Sequence, residues 1–119
     1  MLINISNHLS SAWGEVQLQA AAAIGGVEDV AFPAVDAAAT GSEVSALADR
    51  YCEDIASRYD AAADTVHVMG EMTFTYSLVR RLRAAGFRCV ASTTERVKRQ
   101  QEDGTFVSEF KFNQFRDYE

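Results

Sequence analysis

The chain has 119 residues, 48% apolar and 24% charged, which fits a single globular domain of ordinary size. The apolar and aromatic content excludes a disordered chain, and no apolar run approaches the roughly 18 residues of a membrane span. The net charge of −6 is concentrated in residues 1–64, which carry two basic and ten acidic side chains. We therefore expect neither long nucleic acid nor a membrane as a partner, because binding to nucleic acid neutralises many phosphates.

Several familiar signals are missing. Cys, His, Asp and Glu do not cluster at metal-ligand spacing, and the sequence contains neither a glycine-rich dinucleotide fingerprint nor a Walker loop. We therefore expect no metal and no cofactor. The first residues lack the basic flank and the long apolar stretch of a signal peptide, so a cytoplasmic location is expected.

Strand-like and helix-like segments alternate along the chain, which predicts a three-layer α/β sandwich with a mainly parallel sheet. An antiparallel hairpin is predicted at the C-terminus, at one edge of the sheet. We expect one domain, 1–119, with an α/β core at 1–95 and the hairpin at 96–119. The predicted elements are strands at 2–5, 27–32, 65–69 and 87–91, helices at 13–24, behind Thr40 and at 74–85, and hairpin arms at 96–101 and 105–115.

Local signals predict where the helices begin and end. Ser10 and Ser11 are candidate N-caps of the first helix, because a hydroxyl can accept from the free amides of a first turn. Thr40 and Glu43 have the spacing of a capping box ahead of the second helix. Gly86 follows the third helix at the position where glycine commonly ends one.

The C-terminal arms flank Asp103-Gly104, which predicts a type I′ hairpin turn. Phe106, Phe110 and Phe112 share one face of the second arm, so this face should pack on the body of the domain. The first arm is too polar for a buried strand and is expected at a sheet edge.

Three polar segments follow predicted parallel strands, at 6–11, 70–75 and 92–96. Ligands of open parallel sheets bind beyond the carboxyl ends of the strands, so the three segments should meet at one site. The first two lead into helix N-termini, where free amides favour a phosphate or a carboxylate. The pattern predicts a site for a small anion.

Four side chains in or near these segments can be assigned either a functional or a structural role. His8 can serve as a phosphate donor or general acid–base, or it can be a loop histidine facing solvent. Glu71 can contact a ligand or complement a helix N-terminus. Arg96 suits anion recognition better than a surface ion pair. His67 lies within an apolar strand and is interpreted as a structural residue.

Three segments carry a family resemblance: Leu-Ile-Asn-Ile-Ser-Asn-His at 2–8, Val-His-Val-Met-Gly-Glu-Met-Thr-Phe-Thr at 66–75, and Cys-Val-Ala-Ser-Thr-Thr-Glu-Arg at 89–96. Together they resemble small CRISPR-associated proteins with a CARF-type, Rossmann-like fold, the group of stand-alone ring nucleases and cyclic oligoadenylate binders. The resemblance implies a homodimer whose paired loops bind cyclic oligoadenylate, the second messenger of type III CRISPR defence, with cyclic tetra-adenylate as the expected ring.

The resemblance also implies a chemistry. Members that cut the ring use no metal: a ribose 2′-hydroxyl attacks the adjacent phosphate and leaves a 2′,3′-cyclic phosphate. The first two loops of this chain carry no lysine, so the catalytic roles fall to His8 and Arg96. The implied ligand contacts are Asn7, Ser10, Ser11, Gly70, Glu71, Met72, Thr73, Thr93 and Thr94. The protein would sequester or slowly cleave the messenger and damp the antiviral response; binding and cleavage both stay open.

Two further functions remain open. One is a nucleoside or nucleotide transferase of the deoxyribosyltransferase type, with Glu71 as the nucleophile. The other is a non-catalytic dimerisation module in which the phenylalanine-rich hairpin joins two copies.

Overall fold

The computed structural model describes residues Met1–Glu119, which form an α/β domain with one five-stranded sheet and three α-helices. The strand order is β2-β1-β3-β4-β5, with β1 to β4 parallel and β5 antiparallel to β4. The predicted fold class is confirmed. None of the helices combines the length and apolarity needed to cross a bilayer. The elements are β1 Leu2–Ser6, α1 Glu15–Ala23, β2 Val27–Asp29, α2 Gly41–Arg58, β3 Thr65–Met69, α3 Met72–Ala84, β4 Arg88–Gln100 and β5 Phe106–Asp117.

The sheet has a topological switch point between β1 and β3. The chain leaves β1 for β2 on one side and later returns to β3 on the other side. Helices α2 and α3 cover one face over a main core of 13 buried residues, while α1 covers the other face over a smaller cluster that includes Leu2, Trp13 and Val90. The domain is therefore a three-layer sandwich.

Helices α2 and α3 begin where side chains cap their free amides. The Thr40 hydroxyl accepts from the Glu43 N–H over 3.2 Å, which confirms the capping box. The carboxylate of Glu71 accepts from the amides of Thr73 and Phe74, so α3 begins two residues earlier than predicted. Gly86 follows α3 with φ +96°, as predicted.

The predicted caps of α1 are wrong. Residues Ser10–Ala12 form a short 3₁₀ turn, and α1 begins after Gly14 with no side-chain cap. The Ser10 hydroxyl instead donates to Asp29 over 2.7 Å. Strand β2 ends at Asp29, three residues earlier than predicted. The Asp29 carboxylate also accepts from Asn4 in the neighbouring strand over 2.8 Å.

The predicted polar loop at 92–96 is also wrong, because β4 runs without interruption from Arg88 to Gln100. Only Arg88–Val90 pair with β3, and the rest of β4 pairs with β5 through a register shift between Ser92 and Thr94. Backbone pairing with β5 keeps this polar segment extended although Thr94, Glu95 and Arg96 are exposed. The predicted boundary at residue 95 lies inside this strand.

The hairpin turn differs from the type I′ prediction. Type I′ requires positive φ at both central residues, but Gly104 is the only hairpin residue with positive φ, at +86°. The Gln101 N–H donates to the Thr105 carbonyl over 2.7 Å, and the Gly104 N–H donates back to Gln101 over 3.0 Å. These bonds define a three-residue loop with glycine in the left-handed region.

The hairpin projects from the body of the domain. The radius of gyration is 16.1 Å, whereas a compact chain of this length has about 13.5 Å. Phe106 and Phe110 are 67% and 71% exposed, so the prediction that this face packs on the body is wrong for both. Nearer the body, Phe115 does pack against Trp13, with ring centroids 6.0 Å apart.

Candidate functional site

A cavity of about 660 Å³ lies at the switch point, beside the N-terminus of α1. The ends of β1 and β3 are joined there by a bond from the Asn7 N–H to the Met69 carbonyl, 3.2 Å long. Asn7, His8, Gly70 and Thr94, from the three polar segments predicted to meet, all line this cavity. The lining contains no Lys, Arg, Asp or Glu, so binding of an anion here would depend on neutral donors.

Other predicted ligand contacts lie outside the cavity lining. Ser10 is bonded to Asp29, and Ser11 is exposed. Thr93 exchanges hydrogen bonds of 3.2 Å with the backbone of Gln114 across the hairpin. The structure therefore separates Thr93 from its neighbour Thr94, because successive strand residues face opposite sides of a sheet.

Arg96 lies on the projecting hairpin and does not line the cavity. Its guanidinium donates to the Ser108 hydroxyl on the opposite arm over 3.1 and 3.2 Å. The predicted catalytic pair is thus not brought together within the cavity of one chain, since His8 lines it and Arg96 does not. The physical reason is the continuous β4 strand, which carries residue 96 away from the switch point.

Glu71 is occupied as the cap of α3. One carboxylate oxygen accepts from the Thr73 N–H over 3.0 Å, and the other accepts from the Phe74 N–H over 2.8 Å. The amides of Phe74 and Thr73 hold the pKa of this carboxyl below its usual value. Glu71 and Thr73 line neither the main cavity nor the second cavity, of about 560 Å³, which Met72 lines.

Gly70 has a packing role as well as a place in the cavity lining. A Cβ atom at this position would lie 2.3–2.7 Å from three ring atoms of Phe32. The Phe32 ring packs in turn against Phe74, with centroids 5.2 Å apart. Glycine is therefore required here for close packing, whether or not a ligand approaches its amide.

The N-terminus of α1 is the uncapped helix start of this domain, and it faces the cavity. Gly14 and Gln17 line the cavity, and no side chain accepts from the first-turn amides. The backbone N–H groups of residues 14–17 form no hydrogen bond within the chain. Free amides at a helix N-terminus bind phosphate and carboxylate oxygens, so this end offers an anion the neutral donors that the cavity requires.

A chain of polar side chains runs under α1 across the strands β2, β1, β3 and β4. Asn4 in β1 donates to Asp29 over 2.8 Å, and its carbonyl oxygen lies 2.8 Å from His67 Nδ1 in β3. His67 Nε2 lies 2.7 Å from the Ser92 hydroxyl in β4, which also accepts from Gln17 Nε2 over 3.0 Å. His67, Ser92 and Gln17 line the cavity, so the chain ends at its wall.

The hydrogen bonds determine the state of the His67 ring. Asn4 Nδ2 donates to both Asp29 and the His8 carbonyl, so Asn4 Oδ1 is the acceptor for His67 Nδ1–H. Burial under Trp13 and Phe115 lowers the pKa of His67 to about 4. The imidazole is neutral at physiological pH, with its lone pair on Nε2 toward Ser92.

The polar chain was missed by the sequence reasoning, which interpreted His67 as structural and gave Asn4, Gln17 and Ser92 no role. A signal was available: Asn4 and His67 are the central residues of short strands and have apolar neighbours on both sides. Both side chains lie on the same face of the sheet, because Asn4 pairs with His67 in the strand register.

The fold is an α/β domain with a cavity at the switch point of a mainly parallel sheet, which is the place where open sheets of this kind bind ligands. The chain belongs to the family described as "Uncharacterized protein MJ1673 family", whose model matches residues 1–116. Neither a curated protein nor a solved structure matches the chain.

Proposed function

We propose that this protein is a homodimeric binder of cyclic oligoadenylate, with cyclic tetra-adenylate as its ring, in type III CRISPR defence. It lowers the free messenger by sequestering it or by slow cleavage without a metal. Cleavage would follow from attack of a ribose 2′-hydroxyl on the adjacent phosphate. The family assignment in this proposal rests on the sequence resemblance at 2–8, 66–75 and 89–96.

The observation that carries the proposal is the cavity beside the uncapped N-terminus of α1. A nucleotide ring requires donors for phosphate oxygens, polar groups for ribose and an aromatic surface for the bases. Gly14 and Gln17 of the uncapped helix start, the hydroxyls of Ser92 and Thr94, and the ring of Trp13 lie around this cavity. Neutral donors suit a small anion in a chain of net charge −6, which disfavours long polyanions.

A homodimer would add a cation to the cavity, which has no Lys or Arg in its lining within one chain. Arg96 pairs in the strand register with Phe110, which lines the cavity, but Arg96 itself does not line it, so we propose that it reaches a ligand held by a second copy. We propose His8, which lines the cavity, as the general acid–base, and Arg96 as a cation that the partner chain of the dimer supplies.

The experiment incubates purified protein with cyclic tetra-adenylate and cyclic hexa-adenylate in EDTA, and follows binding by calorimetry and linear products by chromatography. We expect saturable binding of the tetra-adenylate ring. Linear products with 2′,3′-cyclic phosphate ends would establish cleavage. Binding without products would show that the protein only sequesters the ring. Absence of binding to either ring would overturn the proposal.

A matched pair of variants on α1 tests where the ring binds. Gln17→Glu places a carboxylate at the cavity, whereas Gln19→Glu places one on the same helix outside its lining. We expect Gln17→Glu to weaken ring binding at least about tenfold, because a like charge is added beside the phosphates. Gln19→Glu should bind as the unaltered protein does.

A second candidate function, the dimerisation module, is favoured by the hairpin. Phe106 and Phe110 expose more than two thirds of their surface, as is typical of side chains that bury against a partner. The test is sedimentation of Phe106→Ser, with Val107→Ser on the opposite face of the strand as its control. A dimer that Phe106→Ser dissociates, together with no nucleotide binding by the unaltered chain, would favour the module over the binder.

A further inference from the structure

The hydrogen-bonding capacity of Ser92, in the middle of the polar chain, is incompletely used at the cavity. A serine hydroxyl has one proton to donate and two lone pairs to accept with. Gln17 Nε2 donates to Ser92 Oγ over 3.0 Å and occupies one lone pair. His67 Nε2 lies 2.7 Å from the same oxygen.

The Ser92 proton is committed to His67. Asn4 Nδ2 already has two acceptors, so Asn4 Oδ1 must face His67 and accept from its Nδ1–H. A neutral imidazole with its proton on Nδ1 has its lone pair on Nε2, and the only proton available to this lone pair is that of Ser92. Ser92 Oγ is therefore left with a single vacant lone pair and nothing to donate.

We propose that Ser92 Oγ is a fixed hydrogen-bond acceptor for a ligand hydroxyl, the ribose 2′-hydroxyl of an oligoribonucleotide ring, with His67 and Asn4 as the residues that fix it. This inference rests on the proposed function and names the group on the ring that the site recognises. Ser92 and His67 both line the cavity, so the acceptor lies at a wall that a ligand can reach.

An acceptor held in this way discriminates between ligands. A freely rotating serine can donate or accept, so it pairs with almost any polar group. Ser92 can only accept, and a ligand that lacks the hydroxyl would cover it without replacing the bond to water. Leaving a polar group unpaired beneath a bound ligand is costly, which makes selection for a hydroxyl stronger than selection for a methylene.

The experiment measures the affinity of three rings by calorimetry in EDTA: cyclic tetra-adenylate, its all-2′-deoxy counterpart and cyclic tetra-inosinate, which keeps the hydroxyls but lacks the adenine amino groups. The protein should bind the deoxy ring at least about tenfold more weakly than the ribose ring. Binding of the inosinate ring should be close to that of the adenylate ring, since Ser92 accepts from the sugar.

Three variants complete the test. Ser92→Ala should lose affinity for the ribose ring alone, so that ribose and deoxy rings bind about equally. Ser92→Cys preserves the side-chain volume with a poor acceptor and should behave in the same way if the alanine variant fails to fold. Ser42→Ala removes an exposed hydroxyl on α2, outside the cavity lining, and should keep the full preference for ribose.

His67→Gln tests the positioning role. Freeing the Ser92 proton should reduce the ratio of ribose to deoxy affinity while leaving the affinity for the deoxy ring unchanged, a result that a purely structural histidine would not give. Equal affinity of the unaltered protein for ribose and deoxy rings would overturn the inference and leave the proposed function standing. A ribose preference that survives in Ser92→Ala or Ser92→Cys, or a loss of binding specific to the inosinate ring, would also overturn it. Failure to bind any ring would overturn both.

Discussion

The two faces of the central strands differ in kind, although they come from successive residues of the same segments. Toward α2 and α3, β1 and β3 present Ile3, Ile5, Val66 and Val68, all fully buried in the main core. Toward α1, the alternate positions include the buried Asn4 and His67. Buried apolar area stabilises a fold, whereas a buried polar group lowers stability unless it is fully hydrogen-bonded. One face therefore provides stability, and the other carries a bonded polar chain to the cavity.

The largest expected effect lies on the apolar face. Phe74 is fully buried, and its ring packs edge-on against Phe32 and Tyr51 with centroids 5.2 Å away. Phe74→Ala should lower the free energy of unfolding by about 3–5 kcal/mol, because it leaves a cavity as well as losing apolar burial. Urea unfolding measures the change. Ser92→Ala on the other face should lower it by about 1–3 kcal/mol, because His67 Nε2 loses its donor, and a greater loss than in Phe74→Ala would contradict the comparison.

The polar face should make stability depend on pH. Burial lowers the pKa of His67 from 6.5 to about 4, so between these values the unfolded chain binds a proton that the folded chain does not. The free energy of unfolding should therefore fall by about 3 kcal/mol as the pH is lowered from 6.5 to 4.

Urea titrations across this pH range, compared with His67→Gln, measure that contribution. Asp29 is the charged group at the far end of the chain; burial alone would raise its pKa, but the hydrogen bonds of Asn4 and Ser10 lower it below 3.8, so it titrates below this window. An equal pH slope in His67→Gln would show that His67 is not the buried neutral group.

Gly70 lies against the Phe32 ring and also lines the cavity, so its substitution tests how tightly this part of the domain is packed. Gly70→Ala should lower stability by about 1–3 kcal/mol, because the new Cβ would overlap the Phe32 ring. Gly41→Ala, at the start of α2, meets nothing within 4 Å and should be neutral or slightly stabilising. Thermal unfolding of both variants tests this, and rescue of Gly70→Ala by Phe32→Leu would identify the clash as the cause.

The smallest expected effect is at the capped helix start. Glu71→Ala should lower stability by about 1 kcal/mol, comparable to Thr40→Ala at the cap of α2. Ring binding should be unchanged in Glu71→Ala, because this carboxylate does not line the main cavity. The transferase alternative requires the opposite result, with base exchange present in the unaltered protein and lost in Glu71→Gln.

Much of the fold was predictable because local chemistry and tertiary structure agree there. The capping box at Thr40 and the glycine at 86 each appear as predicted, and the alternation of strands and helices predicted the sheet. The failures share a cause in long-range pairing. Residues 92–96 read as a loop because their side chains are polar, but backbone bonds to β5 make them part of a strand.

The candidate site was predicted in its location and not in its chemistry. Loops at the carboxyl ends of parallel strands must lie together, so Asn7, Gly70 and Thr94 could be grouped from the sequence. The bonds among Asn4, His67 and Ser92 depend on strand register and on which residue each side chain meets. Residues 4, 67 and 92 are far apart in the sequence, so no local pattern could pair them.

The proposed binding of the ligand on the α1 face, at the uncapped helix start, can be tested by a nuclear magnetic resonance titration. Addition of cyclic tetra-adenylate in EDTA to the ¹⁵N-labelled protein should give saturable shifts of the backbone amides of residues 14–17 and of the His67 ring nitrogens. Saturable shifts confined to the hairpin or to the exposed surface of α3, with residues 14–17 unmoved, would contradict it.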